Sequence, residues 1–146
     1  MCLIVDMCVA HRAIDPTDDD FEPVRAALTS GRQVLVLGGQ LRREYMKYLP
    51  LLRFVAELDR RGGVRILLES AIDDETARVR KLGLCESNDE HLIALARVSG
   101  ARLLCTTDGP ATRDFKKKAL IDSPRGKVYK RRSHRHLLGE SCEACG

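Results

Sequence analysis

Four short apolar runs punctuate the chain, at Leu3–Val5, Val34–Leu37, Val64–Leu68 and Arg102–Thr106. None alternates apolar with polar residues, so each predicts a strand covered on both faces. Between them apolar positions recur every three or four residues, the mark of amphipathic helices. A short helix from Cys8 to about Ile14 should break at Asp15-Pro16. Phe21, Val24, Ala27 and Leu28 then line a helix ending at Ser30, with Asp18–Asp20 ahead of it and Gly31 as its stop. After Gly38-Gly39, the residues Leu41, Tyr45, Tyr48, Leu52, Val55 and Ala56 keep register along a long helix that Pro50 should kink or split near Tyr48. Asp73 and Asp74 read as caps of a helix ending near Leu82-Gly83. Leu92, Ile93, Ala96 and Ser99 share a face of the next helix, which Ser87 and Glu90 would open as a capping box. A short basic helix from about Ala111 to Lys118 and an edge strand at Lys127–Tyr129 complete the order. This alternation predicts an α/β domain over residues 1–129 with a mainly parallel sheet, followed by a basic, Cys-containing tail at 130–146.

Composition narrows the picture. A chain of 146 residues buries roughly 68–70% of its unfolded surface and needs no staple. No apolar run approaches the ~18 residues of a membrane span, and the opening segment acquires an acid too early for a signal peptide. The expectation is a cytoplasmic protein away from membranes. Of the six cysteines, Cys2, Cys8, Cys85 and Cys105 lie among apolar residues, as buried free thiols do. Charge is unevenly spread: residues 111–136 hold ten Lys or Arg against two acids, while the net charge of the whole chain is only +4. Acids belong to the body and bases to the end, a division suited to a polyanionic partner handled near an acidic centre.

Four acids stand out by position. Asp6 ends the first strand, Glu44 borders the stripe of the long helix, Asp89 falls on the inward face of its helix, and Asp108 follows a buried strand. Open α/β sheets place their chemistry at the C-terminal ends of strands. Each acid also has a plainer reading: Asp6 as a cap, Glu44 as a solvated helix residue, Asp108 as part of the Gly109-Pro110 turn. Asp89 has the least need of one, because Ser87 already supplies a cap. If the four converge, charges about 5 Å apart repel by roughly 3 kcal/mol per pair at an effective dielectric of 20. Such a cluster takes up protons or holds a hard cation, and oxygen donors alone favour Mg²⁺ or Mn²⁺. Asp114 is either a further ligand or a solvated neighbour of Lys117 and Lys118.

Lys116, Lys117, Lys127, Lys130, Arg131 and Arg132 are candidates for a phosphate-binding rim, with a solvated basic tail as the alternative. Three Phe and three Tyr are too few for a continuous base-stacking platform. His134, His136, Cys142 and Cys145 have the donor types of a zinc clip, but the tight His pair makes a disordered tail the simpler expectation.

The segments CLIVD, GGQLRREY, NDEHLIALA and LLCTTD resemble the PIN-domain nucleases, including the toxin ribonucleases of toxin–antitoxin pairs, over residues 2–118. The resemblance implies a three-layer α/β/α fold and a Mg²⁺- or Mn²⁺-dependent endoribonuclease that cleaves single-stranded RNA with a metal-activated water. It carries the family's acids onto Asp6, Glu44, Asp89 and Asp108, and a Ser/Thr/Asn position onto Thr107. It also implies RNA as substrate, a protein antitoxin as partner in the toxin setting, and leaves a homo-oligomer open. The chain departs from the family at Cys8, where a small polar residue usually supports the first acid. A PIN-fold module with weakened catalysis, binding RNA or a protein, is the rival expectation. A phosphatase with Asp6 as nucleophile ranks last, since Cys8 stands where its second Asp would be.

Overall fold

The computed structural model describes residues 1–139. Five strands, β1 (Cys2–Val5), β2 (Val34–Leu37), β3 (Val64–Ile66), β4 (Leu103–Cys105) and β5 (Lys127–Tyr129), form one sheet in the order β3-β2-β1-β4-β5. Every pairing is parallel. The connections are helical: α1 (Met7–Ala13) and α2 (Glu22–Thr29), then α3 (Gly39–Tyr45) and α4 (Leu49–Arg60), then α5 (Glu69–Leu82) and α6 (Glu90–Ser99), then α7 (Gly109–Lys116). Strand order runs outward from β1 to β3 and, in the other direction, from β4 to β5. Right-handed crossovers therefore put α1–α4 on one face and α5–α7 on the other, giving three α/β/α layers. No helix among the described residues is long and apolar enough to cross a membrane.

The central strands β1 and β4 are wholly buried, as their unbroken apolar runs require. Pro50 splits the long helix by sitting in the first turn of α4, where its missing N–H costs nothing. One helix start is corrected. Helix α5 begins at Glu69, so Asp73 and Asp74 lie inside it; its buried stripe of Ile72, Thr76 and Val79 draws the start back by a turn. Asp73 instead pairs with Arg43 of α3 at 3.2 Å.

Residues 130–139, expected as polar tail, are part of the fold. A 3-10 helix at Arg132–Gly139 buries Leu138 against the body. Gln33, itself buried, donates from Nε2 to the Leu138 carbonyl at 2.7 Å. His134 accepts the Lys130 N–H through Nδ1 at 3.1 Å and meets the Tyr129 ring edge-on. One nitrogen needed by the zinc clip is thus engaged; Cys142 and Cys145 lie outside the described residues. Cys8, Cys85 and Cys105 are free thiols. Cys2 is disulfide-bonded, which corrects its expected free state.

Candidate functional site

Strands β1 and β4 are neighbours whose following connections depart in opposite directions. This is the topological switch point, where the loops diverge and leave a crevice at the strands' C-terminal ends. Asp6 leaves β1 there, and Thr106 and Asp108 leave β4. The Asp6 N–H still donates to the Cys105 carbonyl at 3.0 Å, and the Thr106 N–H to that of Tyr129 at 3.1 Å. Both residues are therefore held as firmly as the sheet itself.

Asp6 is buried, and its Oδ2 accepts from Thr106 Oγ1 at 2.8 Å and from Cys8 Sγ at 3.2 Å. Thr106 Oγ1 in turn accepts the Asp108 N–H at 3.1 Å. One hydroxyl thus links the first acid to the last. Thr107, the position carried over from the family pattern, has an exposed side chain, and its backbone N–H is directed at the Cys8 sulfur. Cys8 fills the supporting place that its residue type had seemed to vacate. Burial is the main cause that raises its thiol pKa, and the proton so retained is the one Cys8 donates to Asp6.

Glu44 is half-buried on α3 and accepts from Gln40 Nε2 at 2.9 Å. Its neighbour Tyr45 is buried and donates its hydroxyl to the Val5 carbonyl at 2.5 Å, tying α3 to the residue before Asp6. Asp108 caps α7, with Oδ2 accepting the Ala111 N–H at 2.9 Å. Asp89 occupies the N-cap position of α6, yet its carboxylate makes no capping bond. The expected Ser87–Glu90 capping box does not form, because Ser87 Oγ donates to Asp114 and accepts the Asp89 N–H.

Electrostatics show which acids share a field. The Asp89 carboxyl is pushed up to about 6, first by burial and then by the charges of Asp6, Asp108, Glu44 and Glu90. Three of the acids singled out by sequence thus act on the fourth, Asp89. Their side chains do not form a closed shell: among the described residues, no three His, Cys, Asp or Glu groups are set to hold a metal ion. The donor chemistry nonetheless fits a hard divalent cation, being all carboxylate and repelled within itself. A second observation agrees. His91, two residues along α6, is 3% exposed with both ring nitrogens unpartnered, and it feels the charges of Glu44 and Asp6. Burial lowers its pKa, so the imidazole does not neutralise the acids.

Asp114 is neither a solvated neighbour of Lys117 nor placed as a free ligand. It is fully buried and accepts from the Glu86 N–H at 2.8 Å, the Ser87 N–H at 3.0 Å and Ser87 Oγ at 2.6 Å. The basic residues do not form one rim. Lys127 opens β5 and so lies at the opposite end of the sheet from the acids. Lys116 and Lys117 close the α7 region, about 12 Å of helix from Asp108, and Lys117 Nζ donates to the Leu84 carbonyl at 2.6 Å. Lys130, Arg131 and Arg132 leave β5 at the acids' end, where Arg132 pairs with Glu22 at 3.4 Å.

Together these features define a parallel α/β protein with an acidic centre at its topological switch point. No family model and no curated protein matches the chain.

Proposed function

We propose that the chain is a divalent-metal-dependent endoribonuclease of PIN type, acting on single-stranded RNA. The observation that carries this reading is the half-buried Asp89 carboxyl, raised to about 6 by burial and by the charges of Asp6, Asp108 and Glu44. Those four residues would hold one or two Mg²⁺ or Mn²⁺ ions. When bound, the metal supplies electrophilic activation of the phosphodiester and a reactive water near neutral pH. The protein's part is orientation. Thr106 and Cys8 fix one oxygen of Asp6, Thr106 also holds the loop of Asp108, and Tyr45 anchors the helix of Glu44. Thr107, exposed beside them, is available to a substrate oxygen. Lys130, Arg131 and Arg132, at the same end of the sheet, would grip backbone phosphates with modest sequence preference. A toxin role, with a protein antitoxin as its inhibitor, belongs to the same reading.

The test is cleavage of a defined single-stranded RNA by the full chain with Mn²⁺ and with chelator. Wild type should cut only with metal, leaving 5′-phosphate and 3′-hydroxyl ends, and Asp89→Asn should not cut. Equal cleavage by both proteins would refute the assignment.

A second reading has one observation in its favour. Met46, Tyr48, Leu49, Leu52, Ile66 and Leu68 are all exposed around α4 and the edge strand β3. Clustered apolar exposure of this kind marks association surfaces, as a partner-binding module of the same fold would require. Failure of Mn²⁺ to raise the melting temperature would favour that module over the nuclease.

A further inference from the structure

We infer that Asp114 is a positioning residue for Asp89, acting through Ser87; the inference rests on the metal-dependent reading of the acid cluster. Asp114 lies on α7, six residues after Asp108, and is 0% exposed. Among the described residues no Lys, Arg or His forms an ion pair with it. Its charge is met instead by three hydrogen bonds from the segment before α6, namely the Glu86 N–H, the Ser87 N–H and the Ser87 hydroxyl. With its hydroxyl hydrogen donated to Asp114, Ser87 Oγ accepts the Asp89 N–H at 3.2 Å. Charge-assisted bonds of this kind are stronger than neutral ones and hold their geometry.

The chain Asp114–Ser87–Asp89 has a geometric result. Asp89 stays outside helical geometry, at φ −104° and ψ 40°, and its carboxylate is left unused by the helix it precedes. That carboxylate meets the field of Asp6, Asp108 and Glu44 instead. A further tie fastens the same segment to α7, from Lys117 Nζ to the Leu84 carbonyl at 2.6 Å, whereas the exposed Arg113–Glu86 pair at 2.9 Å is screened by solvent and adds little. Helix α7 thus carries Asp108 at its start and grips the Asp89 segment from its far turns. One short rigid element sets the spacing of two acids that are nineteen residues apart in sequence. A link that only closed the loop would serve stability alone, whereas this one ends on the backbone of a proposed ligand.

The test uses the full chain and Mn²⁺ alone, by titration calorimetry, with metal-free melting temperatures measured alongside. Ser87→Ala removes the relay but leaves Asp114 its two backbone donors. Glu86→Ala removes a surface ion pair on the same segment and serves as control. The expected result is about tenfold weaker Mn²⁺ binding in Ser87→Ala, restored by Ser87→Thr, with Glu86→Ala binding as wild type does. Asp114→Asn should weaken binding at least as much; if it fails to fold, the Ser87 pair still decides. Wild-type binding with unchanged affinity in Ser87→Ala, or equal losses in Ser87→Ala and Glu86→Ala, would overturn the positioning role and leave the metal centre standing. A wild type that binds no Mn²⁺ would overturn the metal reading, and the positioning role with it.

Discussion

Replacing Asp89 with Asn should stabilise the metal-free protein while abolishing its activity. Burial and three neighbouring acids raise the Asp89 carboxyl from 3.8 to about 6, and Glu90 adds to the shift. A shift of that size corresponds to at most ~3 kcal/mol of unfavourable interaction in the ionised form. Asp89 keeps partial contact with solvent, and screening brings the figure to about 1–2 kcal/mol. The sign follows from linkage. A carboxyl whose folded pKa lies above its unfolded one contributes stability below about pH 4, and that contribution is lost as pH rises through about 6. At pH 7.5 wild type carries the whole penalty and the Asn variant none. The Asp89 carboxylate makes no capping bond, so helix α6 should be unaffected. Metal-free Asp89→Asn should therefore melt about 3–6 °C higher than wild type at pH 7.5, and the gap should close towards pH 4.5. Added Mn²⁺ should reverse the order, since wild type alone would gain about 2.7 kcal/mol at a hundred times its dissociation constant. Calorimetric melting at both pH values, with chelator and with Mn²⁺, reads all of this. A variant no more stable than wild type at pH 7.5 without metal would refute the reasoning.

Substitutions at three other positions probe the supports. Thr106→Val keeps shape but removes the hydroxyl between Asp6 and Asp108; it should lower stability by about 1–3 kcal/mol in urea denaturation and Mn²⁺ affinity about 10–100-fold in calorimetry. Cys8→Ser retains a donor to Asp6 and should cleave RNA as wild type does, whereas Cys8→Ala should lose metal affinity in the same titration. Gly126→Ala would set a Cβ 2.1 Å from the Phe115 carbonyl oxygen, forcing β5 from buried Phe115 at a cost of about 3 kcal/mol or more, readable by chemical denaturation.

The central strands were legible because fully buried parallel strands leave unbroken apolar runs, and β2 begins and ends where its run does; edge strand β3 stops at Ile66, two residues short of its run, with Arg65 and Ile66 exposed. Acids at strand ends and helix starts were legible for a related reason: nothing local explained Asp89 once Ser87 was available as a cap. What sequence could not supply was pairing across the fold. Thr106 lies just past β4, and its hydroxyl meets Asp6, 100 residues away in sequence; no local signal shows that contact, and the family pattern pointed to exposed Thr107 instead. Asp114 sits near Lys117 and Lys118 in sequence and so read as a further ligand or a solvated neighbour, although its partners come from Glu86 and Ser87. The stretch 130–139 read as tail because its basic residues outweigh Leu137 and Leu138, while the buried carbonyl of Leu138 is claimed by distant Gln33.

The measurement that bears most directly on the account is titration of the metal-free full chain with Mn²⁺ at pH 7.5, wild type beside Asp89→Asn. Wild type should bind Mn²⁺ saturably and melt at a higher temperature with it, and the variant should do neither. No binding by wild type, or the same binding by both proteins, would contradict it.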